Sequence, residues 1–209
     1  MLRVATAIDS FRSVIEDRLF VLEVPGGVVI ILADGAGGIP GGDRAADRVV
    51  ALARRALGCN GFDPFSAGVW VDLLRTADHE IQRERAAGET TAVILTVWER
   101  HIWGASAGDS GAMIVHPQGH DDLTANQKRK LRLGSGEARP VPFERGDWDG
   151  CVVVASDGLF GHARPEAVSR AVFNGDVDDA PRRLIECVRL PSGDLMDDVA
   201  VAVIHREIA

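Results

Sequence analysis

The sequence predicts an α+β fold in which packed, mainly antiparallel sheets carry their helices on the outside. Three observations predict it. Seven runs rich in Val and Ile, bounded by Gly, Asp or Pro, read as strands. Segments of helical period fall between them in the order strands, two helices, strands, two helices, strand, which differs from the strict alternation of a parallel, doubly wound sheet. The connections "ERH" and "AGDSG" are short enough to join antiparallel neighbours in a meander.

The elements follow in order. "RLFVLEV" (18–24) and "GVVIILA" (27–33) are strands. In "GGDRAADRVVALARRALG" (41–58) the apolar Ala46, Val49, Val50, Ala53 and Leu57 recur at helical spacing, with Asp43 as N-cap and Gly58 as stop. A second helix runs from Phe65 to Arg85, with Trp70, Leu73, Leu74, Ala77 and Ile81 on one face. "TAVILTVWE" (91–99), "HIWGASA" (101–107) and "GAMIVHP" (111–117) read as strands, whereas 118–150 has the least patterning and reads as surface loops. The strand "CVVVAS" (151–156), the helices "RPEAVSRAVFNG" (164–175) and "DDAPRRLIECVR" (178–189), and the strand "VAVAVIH" (199–205) complete the set. Continuously apolar runs imply strands buried on both faces.

The 209 residues suit one domain, 1–209, with a sizeable core. A net charge of −8 and the lack of a basic stripe argue against a nucleic-acid partner, whose phosphates need cations. No apolar run approaches the ~20 residues that span a bilayer, and charges through the first seventeen positions do not suit a signal peptide. Cys59, Cys151 and Cys187 are odd in number and without C-x-x-C spacing, so they read as small buried residues in a reducing compartment. These features point to the cytoplasm. The six histidines lack ligand spacing, and the tryptophans at 70, 98, 103 and 148 read as packing residues.

The stretch "VVIILADGAGGIPGG" (28–42) ends a core strand on a carboxylate inside a glycine loop. A dinucleotide fingerprint beginning at Gly35 would need glycine at position 40, where Pro40 stands, and no Gly-Lys-Ser/Thr of a P-loop follows. Two readings remain for the loop alone: a turn whose glycines supply positive φ, or an aspartate that ligates a metal beside bare backbone.

The pattern recurs. Asp34 in "ILADG", Asp109 in "ASAGDSG" and Asp157 in "VVVASDG" each follow a strand, while Asp197–Asp198 and Glu16–Asp17 each precede one. Sheet packing can bring such strand ends together. Carboxylates a few ångströms apart cannot all ionise without a cation, and hard oxygen donors in that number suit Mg²⁺ or Mn²⁺. Three repeats of one local pattern favour a binuclear metal site over independent turns or caps.

At this point the chain resembles a family, the PP2C-type (PPM) metal-dependent serine/threonine protein phosphatases in their compact bacterial form. "RSVIED" resembles the family's R-x-x-x-E-D and "LADGAGG" its D-G-x-G-G. "GETTAVILTVWERHIWGASAGDSGAMIV" resembles its G-T-T-A…G-D-S-R hairpin, "VVVASDGLF" its S-D-G-L, and "DDVAVAV" its D-N-x-T-V-V-V. The motifs stand in family order across residues 12–203. The resemblance implies an αββα sandwich with two Mn²⁺ or Mg²⁺ ions at one end and a third, weaker ion. It implies that Asp34 bridges the pair, that the Gly35 carbonyl binds one, and that Asp157 and Asp197 hold the other. Glu16 and Asp17 act directly or through water, Asp109 shares the third ion with Asp157, and Arg12 clamps the substrate phosphate. The catalytic set is then Arg12, Asp34 and Asp157, and a metal-bound water attacks phosphorus directly. Phosphoproteins and a cognate Ser/Thr kinase are the implied partners, with no membrane.

The chain departs from the family at several places. Ala36 stands where many relatives carry histidine or methionine, in a loop expected to have room for a ring. Gly111 replaces the arginine after G-D-S, Asp198 the asparagine of D-N, and Ala200 the threonine of D-N-x-T. Only "ANQKRKLR" lies where the family has a longer flap, and it reads as a solvated loop. None of these removes an implied ligand, which favours an active enzyme over a catalytically weak or inactive phosphoprotein-binding module of the same fold.

Overall fold

A computed structural model describes residues 1–11, 14–38, 40–84 and 86–206 of the chain. Among them are ten strands. β2 (Arg18–Val24), β3 (Gly27–Ala33), β4 (Ala92–Trp98), β5 (His101–Ala107) and β8 (Val141–Gly146) form one sheet in the order β2-β3-β4-β5-β8. β1 (Leu2–Asp9), β10 (Val199–Arg206), β9 (Cys151–Ala155), β6 (Gly111–His116) and β7 (Gly119–Asp122) form the other, in the order β1-β10-β9-β6-β7. Every pairing is antiparallel. Helices α1 (Gly42–Leu57) and α2 (Ala67–Arg83) cover the first sheet, and α4 (Pro165–Phe173) and α5 (Ala180–Glu186) cover the second; α3 (Asp157–Phe160) is a single turn.

Three apolar layers hold this αββα sandwich together, and the central strands β3, β4, β9 and β10 each serve two of them. In β3, Val28, Ile30 and Leu32 point between the sheets toward Ile114, Val152, Val154 and Ile204, while Val29, Ile31 and Ala33 point at α1 and α2. In β9 and β10, Val153, Val201 and Val203 turn instead to Leu184 and Val168 of α5 and α4. Burial on both faces is why these strands read as unbroken Val/Ile runs rather than as alternation. Each fully buried aliphatic side chain contributes about 1.5–3 kcal/mol of transfer free energy.

Several sequence expectations need correction. β1 is absent from the expected strands because its sequence, LRVATAID, is short of Val and Ile; its pairing with β10 across the whole chain is what makes it a strand. The 118–150 segment is more than loops, since β7 and β8 edge one sheet each; β8 buries only Phe143 and β7 (GHDD) has no apolar residue, so neither carries a Val/Ile signal and each is a strand through its pairing. "ERH" is indeed a tight hairpin, with Trp98 opposite His101, but "AGDSG" leads from one sheet to the other. Gly41, in the left-handed region at φ 93°, caps α1, and Asp43 sits in its first turn. α2 begins at Ala67 rather than Phe65 and ends at Arg83; Arg85 lies outside the described residues. Of the cysteines only Cys151 is buried; Cys59 and Cys187 are exposed at the ends of α1 and α5, where each Sγ donates to the carbonyl four residues back. Among the described residues no helix is long and apolar enough to cross a membrane.

Candidate metal centre

The antiparallel topology delivers five carboxylates to one end of the sandwich. Asp34 is the first residue beyond β3, Asp17 the last before β2, and Arg18 pairs with Ala33 so that the two aspartates neighbour each other. Asp109 lies in the crossing from β5 to β6. Asp157 opens α3 just after β9, and Asp197 lies two residues before β10. Ala155 pairs with both Gly111 and Val201, which draws these three positions to the same edge.

The backbone at Asp34 is clamped by "GETT". Its carbonyl accepts from the Thr91 N–H at 2.8 Å and from Thr90 Oγ1 at 2.8 Å, and the Ala36 N–H donates to the Glu89 carbonyl at 2.9 Å. These bonds frame a single bridge between Gly35 and Thr90 and leave the Gly35 N–H and C=O out of the ladder. The glycine is required by space rather than by positive φ: a Cβ on Gly35 would lie 2.5 Å from the Gly42 carbonyl carbon. Gly158 has the same kind of reason, since its Cβ would lie 2.1 Å from the Asp198 carbonyl oxygen. Each Asp-Gly pair therefore sits where two backbones nearly touch. A further anchor is the 2.5 Å contact between Thr91 Oγ1 and Ser110 Oγ, which ties the crossing that carries Asp109 to β4.

The electrostatics are those of crowded like charges. Burial raises the Asp17 carboxyl to about 7, with hydrogen bonds from Ser156 and Asp34 opposing and the charges of Asp198 and Asp197 adding. Burial also holds Asp34 well above the usual carboxylate range, reinforced by the charges of Asp17, Asp157, Asp197 and Asp109. Asp157 is raised by burial and by Asp109 and Asp197; its hydrogen bond with Asp34 and the charge of Arg132 pull the other way. Two oxygens, Asp17 Oδ2 and Asp109 Oδ1, are buried with no hydrogen-bond partner. Among the described residues no three His, Cys, Asp or Glu side chains already close around one point as a metal would hold them. The donor set nonetheless fits a hard cation: it is all oxygen, it carries unpaired buried lone pairs, and its members repel one another.

The structure thus brings Asp17, Asp34, Gly35, Asp109, Asp157 and Asp197 to one region. Arg12 lies outside the described residues. Sequence reasoning placed Asp198 in the acidic pair before β10 and among the departures from the family, but missed the part it plays. Its Oδ1 accepts from Ser10 Oγ and from the Phe11 N–H, both at 2.9 Å, and its Oδ2 accepts from the Glu16 N–H at 2.9 Å. The aspartate is 8% exposed and fastens Ser10, Phe11 and Glu16 to the start of β10. Its signal was present, an acidic pair before an apolar strand, but one position had been counted for the pair. Arg18 supports the same segment by donating to the Ile15 and Asp17 carbonyls while gripping Asp47 of α1. The expected room at Ala36 is not there: the residue is 6% exposed, pinned beneath the Glu89 bond.

No family model matches the chain, and no curated protein matches it. Solved structures do. The serine/threonine phosphatase Stp1 from Staphylococcus aureus is 19% identical with a TM-score of 0.84, covering 100% of this chain and 96% of that one. The catalytic domain of the serine/threonine phosphatase PstP, solved in complex with 2 manganese ions, is 22% identical with a TM-score of 0.78 and covers 97% of each chain. The serine/threonine phosphatase of S. agalactiae is 20% identical at a TM-score of 0.83, over 99% and 100%. This chain has the fold of the bacterial serine/threonine phosphatases.

Proposed function

We propose that the chain is a PP2C-type, Mn²⁺- or Mg²⁺-dependent protein serine/threonine phosphatase, acting as one domain with a shortened flap. What carries this reading is Asp34, a carboxyl hemmed in by four other aspartates on a clamped loop, within a fold shared with a manganese-bound phosphatase. Asp17, Asp34, the Gly35 carbonyl, Asp109, Asp157 and Asp197 would hold the cations. When bound, these supply charge neutralisation and Lewis acidity toward a phosphoryl group and acidify water.

The chain's own residues do the rest. Arg12 would bind two phosphate oxygens through its planar fork. Asp198 holds the flanking Ser10, Phe11 and Glu16 in place, so the phosphate meets a prepared site. Ala36 has no proton to give, and the departing serine or threonine oxygen takes its proton from solvent. Phosphoproteins are the substrates, a Ser/Thr kinase is the opposing enzyme, and the cytoplasm is the setting.

The test is hydrolysis of p-nitrophenyl phosphate and of phosphoserine and phosphothreonine peptides, with Mn²⁺ and with EDTA. Turnover that needs Mn²⁺ and stops with EDTA is expected. Turnover indifferent to EDTA would refute the metal centre, and peptide binding without any turnover would make the chain a phosphoprotein-binding module.

A further inference from the structure

A cleft of about 330 Å³ opens at Asp109 and Asp157 and runs along β6 and β7, with α3 and the start of α4 as its opposite wall. Its lining is mixed: Met113, Val115, Phe160, Ala163, Pro165 and Val168 supply apolar surface, and polar groups including His120, Thr124 and Gln127 stand beside the charged ones. At the small end of the roughly 300–1,000 Å³ that ligand pockets occupy, it has room for one large side chain rather than a cofactor. Gly111 lies within it. A Cβ there would come to 3.1 Å from the Phe160 ring and 3.1 Å from Thr124 Oγ1. The backbone of Gly111 does not need glycine, because its φ is not positive. Any side chain at 111 would displace Phe160 or occupy the cleft, so glycine keeps the space open.

We propose that this cleft is a specificity subsite for an apolar side chain flanking the phosphorylated residue of the substrate, with Gly111 as the residue that admits it. The proposal rests on the phosphatase reading above. The occupant follows from continuity and charge. Asp109 and Asp157 belong both to the cleft and to the carboxylate cluster, so a peptide with its phosphate at the cluster carries its neighbouring residues across the cleft mouth. Asp109, Asp122 and Asp157 outnumber Arg129 among the charged lining groups, which disfavours an acidic side chain; a basic one would have to compete with the proposed cations for Asp109 and Asp157 and with Thr124, whose N–H and Oγ1 already donate to Asp122 Oδ1.

The experiment steps a leucine through the three positions on either side of phosphothreonine in a Gly/Ser peptide. It measures kcat/KM, with p-nitrophenyl phosphate as the reference, and peptide affinity by fluorescence anisotropy. Leucine at one position is expected to raise both by about tenfold over glycine, the scale on which apolar pockets discriminate, and aspartate there gives no rise. Gly111→Leu should remove the preference, and Phe160→Ala, which widens the cleft, should shift it from leucine to tryptophan. A flat scan with sound p-nitrophenyl phosphate turnover overturns the subsite and leaves the phosphatase reading standing. A preference that survives both variants also overturns it. Absent turnover with a position-specific anisotropy rise refutes catalysis and keeps the subsite; absent turnover with flat anisotropy refutes both. Should Gly111→Leu fail to fold, the wild-type scan and Phe160→Ala decide.

Discussion

Asp78 and Asp17 are buried aspartates of one chain, 4% and 2% exposed, held in opposite ways. Asp78, on α2, accepts from the Gly134 N–H at 2.7 Å and the Gly136 N–H at 3.0 Å, where the chain returns from β7 toward β8. Those donors come from a backbone turned by glycines at φ 98° and 75°, and the carboxylate does for them what a helix cap does for its first turn. Asp17 has an orphaned Oδ2 and other carboxylates for neighbours. Burial alone therefore does not mark a functional group. Burial without satisfaction among like charges is the feature on which the proposed metal centre rests, because it stores repulsion that a cation would relieve.

The widest separation of the two should come from Asp157→Asn in the crowded cluster. Turnover should fall by 100-fold or more, beyond the ~10–100-fold cost of losing an outer-shell partner. The metal-free protein should melt no lower than wild type, since one repelling charge is gone. Kinetics at saturating Mn²⁺ together with thermal unfolding in EDTA check both halves; near wild-type turnover would sink the assignment.

Asp78→Ala should do the reverse. Two buried N–H groups lose their acceptor at about 1–3 kcal/mol each, while Mn²⁺-dependent turnover per folded molecule stays within a few-fold of wild type. Urea unfolding measures the first and an assay well below the midpoint measures the second. A stable but inactive Asp78→Ala would erase the distinction between the two aspartates.

Asp198 belongs to both kinds, satisfied by three donors yet beside the cluster. Asp198→Ala should raise KM about tenfold with a smaller fall in kcat, because it releases Ser10, Phe11 and Glu16 beside the proposed phosphate clamp and would weaken binding in ground and transition state alike. An unchanged KM for aryl phosphate would count against the latch.

The smallest effect falls on a half-exposed pair. Arg189 donates to Asp9 Oδ2 at 2.5 Å and, chiefly through that bond, holds the Asp9 carboxyl below its usual value of 3.8. With the folded value depressed, the pair's stabilisation is present above pH 3.8 and is lost as pH falls through the folded value. Arg189→Ala should slightly lower the melting temperature near neutrality, and the gap from wild type should close in acid. A gap that widens below pH 4 would contradict this.

The central elements were legible in the sequence because their cause is local. Unbroken Val/Ile runs arise wherever a strand is covered on both faces, and β3, β4, β9 and β10 are such strands. The aspartates at strand ends were legible too, since each follows or precedes its run directly. Sheet membership was not. Nothing local says that β1 pairs with β10, or that "AGDSG" crosses between sheets instead of turning back within one. Those choices depend on which partner completes a buried face far along the chain. The same holds for Asp78 and Asp198: two buried aspartates look alike in a sequence, and only their tertiary partners decide which one anchors a loop and which one latches the site.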